Sequence, residues 1–460
     1  MSAAPTADRP DVLIVGAGIA GLYTAREILK RSPTTRVLVI EKYPVVGGRV
    51  LSFTKELGCE GQTSIHERSE HRDACQLRSV AWEAGAGRLH YSQKRVHKLL
   101  KDYNLEVFPL PASADFLPAT ADGSASRRRS NQFADLIQPL LPLLEDLPVA
   151  DLQMNTLADL CQRTLGPKLT KAVFDEFPYY TEVHNLRADL ALETFKGVMG
   201  AEGGFCSIKG GFGQLPRALA ADVRRRGGSI WLGAELVGWV SGVDKSGADK
   251  SGGLKAHVQL WRSWKPHQKI ALYPKRMILA LHAGALQAFP QCRSWAPLRH
   301  LGVARLLRIY AVFPQGRLCD GGKGPWFAGM AKMVVAGPLR YVIPISEEQG
   351  IIMISYTDGA DTQPFWAAAQ AKDPRALTAH IMREVRALFG SQVPDPLFLK
   401  AHPWTVGTTY WRPGHYDVDA VMEDSLQLED GVACIGESFS RDQAWIEGAL
   451  ESADRFLRTY

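Results

Sequence analysis

The 460 residues are 46% hydrophobic, 22% charged and 9% aromatic, the composition of a water-soluble globular protein, and the length suits two interleaved domains. A formal charge of +6 is small for this length and excludes a strongly basic nucleic-acid binder, while no apolar run approaches the roughly 18 residues needed to cross a bilayer. The seven cysteines (Cys59, Cys75, Cys161, Cys206, Cys292, Cys319 and Cys434) form no CxxC and share no metal-ligand spacing with histidine, which points to free thiols and no metal site.

Met1 to Pro10 show no charged segment followed by an apolar one, so the cytoplasm or another reducing compartment is expected. The chain then reads as strand, tight turn, helix, strand. Val12 to Val15 is an apolar run suited to a buried parallel strand, and Gly16 to Gly21 make the turn. Leu22 to Lys30 repeat apolar residues at helical spacing, and Arg36 to Ile40 form a second buried strand. Residues 111–130, rich in Pro, Ala, Ser and Asp, are expected to be a mobile surface loop, with Arg127-Arg128-Arg129 as a solvated run within it.

Helical patterns follow at Phe133, Leu136, Ile137, Leu140, Leu141 and Leu144, then over Leu157 to Leu165 and Leu169 to Phe177. Strand patterns return at Ser229 to Trp239, Ala256 to Trp261, Met277 to Leu281 and Leu307 to Phe313. The near-repeat of Asp244 to Gly247 by Asp249 to Gly252 reads as a flexible hairpin tip, and Gly448 to Leu457 closes the chain as an amphipathic helix. This order predicts a two-domain α/β protein. Residues 1–90, 201–290 and 406–460 build a Rossmann-like nucleotide domain. A helical insert over 91–200 and a sheet over 291–405 build an interleaved α+β substrate domain.

Gly16-Ala17-Gly18-Ile19-Ala20-Gly21 matches GxGxxG between strand and helix. Gly16 permits the turn, Gly18 lets backbone approach a pyrophosphate, and Gly21 allows close helix–strand packing, while the helix N-terminus offers free N–H groups. Glu41 ends the next strand, 20 residues after Gly21, where a carboxylate can accept from ribose hydroxyls, with Lys42 beside it. Gly47-Gly48-Arg49 then adds a second backbone approach and a cation, which argues for FAD over NAD; a plain turn with a surface Arg is the bland alternative. Near the C-terminus, Val432 to Ile435 is a strand leading through Gly436-Glu437 and Ala444-Trp445-Ile446 into the last helix, a second helix N-terminus that can face the cofactor.

Taken in order, these elements resemble the flavin-containing amine oxidase family over most of the chain, most clearly at its two ends. Lys209-Gly210-Gly211-Phe212 to Leu219 is similar to the family's GG-plus-helix element, and Leu236 sits where a strand backbone meets adenine. The resemblance implies dissociable FAD, since no Cys stands where the monoamine oxidases attach it. Glu83-Ala84-Gly85-Ala86-Gly87-Arg88 is similar to the segment by which the L-amino-acid oxidases grip a substrate carboxylate through Arg. A guanidinium matches a carboxylate in a bidentate fork. Arg88 is alternatively a cofactor ligand. Ile351 to Tyr356 resembles the strand whose Tyr supports the same carboxylate, although Tyr356 is equally readable as core. Trp445 resembles a wall of the flavin pocket. Arg308 falls where the family places a Lys near the flavin, and an Arg cannot accept a proton as a Lys can; the residue is alternatively exposed. Tyr410-Trp411-Arg412 is expected to bring aromatic rings near the pocket, and Tyr179-Tyr180 is a weaker candidate for its entrance.

The function implied is oxidative deamination of an L-α-amino acid to its 2-oxo acid, with FAD taking hydride equivalents and dioxygen returning hydrogen peroxide. The alternatives are an amine or polyamine oxidase, a flavin-dependent desaturase, and a flavin-bound scaffold without turnover. The expected partners are a small-molecule substrate and dioxygen, with neither nucleic acid nor membrane, and a homodimer is left open.

Overall fold

Continuous runs of Val, Ile, Leu and Met make strands that are covered on both faces, and they form the centre of the nucleotide half. The computed structural model describes residues 9–57, 78–118, 127–131, 133–199, 204–243, 249–317, 323–371 and 373–460. Val12–Val15 is the middle strand of a five-stranded parallel sheet in the order Ser229–Leu232, Val37–Glu41, Val12–Val15, Arg276–Leu279, Val432–Cys434. Val12, Ile14, Val37 and Val39 share a core with the helices Ile19–Arg31, Gln214–Arg225 and Ile446–Thr459. Leu13, Val15, Leu38 and Ile40 point the other way, into a core shared with Leu236, Trp239 and Val258 of an antiparallel sheet. That sheet runs Ala234–Val243, Asp249–Arg262, Lys265–Leu272. Each such aliphatic side chain contributes about 1.5–3 kcal/mol when fully buried.

The single strand expected over Ser229 to Trp239 is two strands in different sheets. Gly233 breaks it with φ +67, and a Cβ there would lie 2.9 Å from the Trp261 carbonyl oxygen. Glycine alone takes that turn without strain. Of the near-repeat expected at a hairpin tip, residues 244–248 lie outside the described residues and Asp249 onward is already strand.

The other half is a seven-stranded sheet in the order Phe398–Trp411, Leu301–Val312, Ile351–Asp358, Tyr341–Ser346, Met333–Val335, Ala114–Leu117, Arg128–Ser130. The last two strands correct the loop expected over 111–130, of which 119–126 lie outside the described residues. Ala114, Asp115 and Phe116 are all buried, and Asp115 holds Arg127 and Arg129 in ion pairs, a strand that the short polar residues around it obscure in the sequence. Arg128 pairs with the buried Glu176, so the arginine run is anchored rather than simply solvated.

Helices Gln363–Gln370 and Pro374–Phe389 cover one face of this sheet through Phe365, Ile381 and Val385 against Leu307, Ile309 and Ile354. The opposite face carries Arg308, Tyr310 and Tyr356 towards the nucleotide half. Among the helical patterns, Leu157–Leu165 starts at a capping box. Thr156 Oγ1 accepts from Asp159 N at 3.2 Å, and the Asp159 carboxylate accepts from Thr156 N at 3.0 Å, an arrangement worth about 1 kcal/mol. The pattern from Phe133 to Leu144 is instead three short turns, because Pro139 and Pro142 interrupt the helical hydrogen bonding. Cys161, Cys206, Cys292 and Cys434 are buried and free; Cys59, Cys75 and Cys319 lie outside the described residues. Among the described residues no helix is long and apolar enough to cross a membrane, and no His/Cys/Asp/Glu group has the arrangement to hold a metal.

Candidate active site

The glycine loop is built as its spacing implies. Gly16 has φ +105, and a Cβ on it would meet the Ala280 carbonyl oxygen at 2.5 Å; one on Gly21 would meet the Gly16 oxygen at 2.1 Å. Gly18, which caps the helix Ile19–Arg31, differs: nothing lies within 4 Å of the place its Cβ would take. The open space therefore faces a helix start whose first N–H groups, in the turn of Ile19 and Ala20, have neither an intrahelical acceptor nor a capping side chain. Gly47 N donates to Ala17 O at 2.8 Å, and Gly48, at φ +58, brings its backbone against Gly18. Two side-chain-free backbones and a helix N-terminus thus form a cradle that suits a pyrophosphate.

Around the cradle, Glu41 accepts from Ala17 N at 2.8 Å and Tyr43 N at 3.0 Å. Burial pushes its carboxyl above the ordinary range despite those donors. Lys42 turns outward to Glu235, 2.8 Å away, and Leu236 buries its side chain in the core, leaving only its backbone for a cofactor. Arg49 spans the two ends of the chain, with Nη2 2.7 Å from Glu437 Oε1 and Nη1 donating to Gly407 O. Gly436 takes φ +137 just before it, and Ala444 N donates to Glu437 Oε2 at 2.9 Å. Burial alone would raise the Glu437 carboxyl, but Arg49 and these donors hold it below the ordinary range.

The segment Glu83 to Arg88 threads between Arg49 and Arg308. Ala86 N donates to Arg49 O at 2.9 Å, and a Cβ on Gly85 would meet that oxygen at 1.9 Å. Gly87 lies against Arg308, whose Nη1 donates to Glu83 O at 3.2 Å, and Tyr310 donates its hydroxyl proton to the same oxygen at 2.7 Å. Arg308 is half-buried with its guanidinium 5.2 Å over the Tyr356 ring, its register partner, and so is not simply exposed.

Arg88 sits in an aromatic box. Its guanidinium carbon lies 4.6 Å from the Tyr179 ring centroid, 4.7 Å from Phe205 and 5.4 Å from Trp445, and it hydrogen-bonds the Tyr179 hydroxyl. Trp445 and Phe205 are stacked at 6.0 Å, and Tyr341 and Tyr356 meet Tyr179 edge-on. Among the described residues no carboxylate lies within ion-pair distance of Arg88, a half-buried cation whose lost hydration the aromatic faces replace in part. Burial raises the hydroxyl pKa of Tyr356 and Tyr341, so both are neutral donors. Two groups feel Arg88. Burial and the neighbouring Asp358 push the Glu182 carboxyl above its ordinary range, and burial and Arg88 push the Lys332 ammonium down to about 8.

The structure thus brings Arg88, Arg308, Tyr356 and Trp445 into one region with Gly85 to Gly87, and Ile446 buried behind Trp445. Trp411 is instead core, donating to Ser440 O, and Tyr410 packs over Gly302, so that pair does not reach the box. Tyr179, a weak candidate on sequence grounds, is central, whereas its neighbour Tyr180 turns away to stack on His184. Phe205, Tyr341, Glu182 and Lys332 carry no signal in the sequence. Glu182 lies on the helix Tyr180–His184 beside the Tyr179-Tyr180 pair but is not marked out by it, and the others sit in separate segments.

The chain matches the sequence profile of the flavin containing amine oxidoreductases over residues 19–456. Its fold is similar to that of solved putrescine oxidase structures. A cofactor-binding redesign variant aligns with TM-score 0.68 at 15% identity, and the wild type bound to putrescine aligns with TM-score 0.66 at 15% identity, each covering 98% of both chains. No curated protein sequence matches the chain.

Proposed function

Since this chain belongs to the flavin-containing amine oxidoreductase family, with the cradle at Gly16 to Gly21 as the seat of its FAD, we propose that it oxidises an amine held against the Arg88 box. When bound, FAD supplies the two-electron acceptor that takes hydride equivalents from the carbon bearing nitrogen and passes them to dioxygen. The protein supplies orientation and electrostatics. The observation that carries this reading is the Arg88 guanidinium held among the Tyr179, Phe205 and Trp445 rings next to the Gly436 to Ile446 segment, a fixed cation and aromatic surface against which a small substrate can be oriented. An amine must lose its proton before it gives up hydride. Arg308 cannot accept that proton, so it leaves to another group or to solvent.

The likeness to putrescine oxidase favours a simple amine or polyamine as the substrate. One observation favours the second reading, an L-α-amino acid: a half-buried guanidinium without a carboxylate partner, beside the Tyr179 hydroxyl, is a ready seat for a substrate carboxylate. Replacing Arg88 by Met separates the two. If Arg88 grips a carboxylate, kcat/KM for amino acids falls by about 3 kcal/mol, roughly 150-fold, while kcat/KM for the matching decarboxylated amines does not fall. An equal fall for both classes assigns Arg88 to the cofactor and leaves the amine reading alone.

A further inference from the structure

Far from the amine site, the strands Asp249–Arg262 and Lys265–Leu272 meet in a two-residue turn, Ser263-Trp264. Both turn residues have positive φ, 49 and 63, in a position where sequences ordinarily place Asn-Gly. The result is an indole at the apex of a hairpin, 63% exposed. It is not isolated. Tyr43, 51% exposed, lies with its ring 6.1 Å from Trp264. Hydrogen bonds from Gly233 N to Tyr43 O and from Trp261 N to Gly233 O tie the backbones at Tyr43, Gly233 and Trp261 together, and the chain neighbours Leu232 and Val45 are exposed as well. Large apolar side chains clustered at one apex are unusual on a free surface.

The rim of this cluster is basic. Arg262 and Lys265 face each other across the hairpin, and His267 and Lys269 follow on the same strand, all exposed. Among the described residues, Arg262, Lys265 and Lys269 make no ion pair, and the sequence contains no Asp or Glu from Arg262 to Arg276. The neighbouring acid, Glu235, is already engaged by Lys42 at 2.8 Å and by Trp261 Nε1 at 2.9 Å. We propose that this hairpin tip, with Tyr43, Val45 and Leu232, is a docking surface for an anionic lipid bilayer. The protein would rest on the membrane without spanning it, a departure from the absence of a membrane partner expected from composition.

Two features favour lipid over nucleic acid or an acidic protein. Trp and Tyr partition to the level of the lipid headgroups, where an apolar ring and a polar edge are both satisfied. Aliphatic Val45 and Leu232 gain from the acyl boundary but have no counterpart on a phosphate backbone. The cations flanking the apex then match the negative potential of the leaflet.

The test is co-sedimentation of the FAD-loaded protein with vesicles of phosphatidylcholine alone and of phosphatidylcholine with phosphatidylserine. Binding to the mixed vesicles and little to the neutral ones is expected. Trp264→Ser should weaken it, and Lys265→Gln with Lys269→Gln should weaken it about 25-fold, from about 1 kcal/mol per charge at an anionic surface. Both variants should keep the visible flavin spectrum and turnover of the parent, since neither touches the site. Absence of binding to the anionic vesicles overturns the proposal. So does a result in which only the charge variant loses binding, because an electrostatic surface for nucleic acid or acidic protein would behave that way.

Discussion

Glu437 and Arg49 tie the first and last segments of the chain together, and their separation is a quantitative test of the site's architecture. The Glu437 side chain is 7% exposed, and its carboxylate accepts from Arg49 at 2.7 Å, Thr409 Oγ1 at 3.0 Å and Ala444 N at 2.9 Å. Glu437→Ala leaves a partly buried guanidinium without its counter-ion and two donors without an acceptor, so a cost of about 3–5 kcal/mol is expected. Arg49→Ala leaves a buried carboxylate with neutral donors only, which costs about 3 kcal/mol by the same reasoning. Because each single change strands the other partner, the double variant should be less destabilised than the sum of the two, by about 2 kcal/mol. The contribution has a sign in pH. The folded carboxyl is held below its ordinary value, so the stabilisation is complete above the ordinary carboxylate range and is lost as pH falls through the folded value. Urea titration of the parent, both single variants and the double variant, followed by circular dichroism and by flavin release, measures the coupling. Additive losses would refute the claim that the two side chains act as one buried pair.

Two more outcomes follow from the geometry. Gly18→Ala meets no atom within 4 Å, so the fold should lose no more than about 0.5 kcal/mol while FAD affinity falls; Gly21→Ala, blocked by the Gly16 oxygen at 2.1 Å, should instead destabilise the fold itself. Thermal melts with and without added FAD distinguish the two. His402 is held down to about 3 by burial and nearby Lys400 and Arg308, and its Nε2 accepts from Trp82 Nε1 at 2.9 Å. With the folded value below the unfolded one, the neutral ring becomes a liability as pH drops. Between pH 6.5 and 5 the parent should lose about 1.7 kcal/mol relative to His402→Gln in denaturant midpoints at matched pH, and a constant gap would contradict that.

Features set by local backbone are legible in the amino-acid sequence. The glycine loop is one, because Gly16, Gly18 and Gly21 each answer a constraint within a few residues; the boundaries of Leu157–Leu165 are another. Features set by distant packing are not. A single positive φ at Gly233 turns an expected strand into two, while Ala114–Leu117 is held by pairing with Met333–Val335 and Arg128–Ser130 by pairing with Ala114–Leu117 in turn. At the site, Arg88 is identifiable by type and context. Its surroundings are not, since Tyr179, Phe205, Tyr341 and Trp445 come from four segments that meet only in the folded chain. The strand position of Arg308 is visible in the sequence, whereas its half-buried place over Tyr356 comes from the pairing of two strands.

The central claim is that a flavin held by the glycine cradle is reduced by an amine bound at the Arg88 box. It is tested most directly by mixing the FAD-loaded protein, without oxygen, with a panel of mono- and diamines and L-amino acids while the long-wavelength flavin band is followed. Bleaching by members of one amine-bearing class, reversed on admitting air, is the expected result. A flavin that stays oxidised with every amine and amino acid would contradict the account.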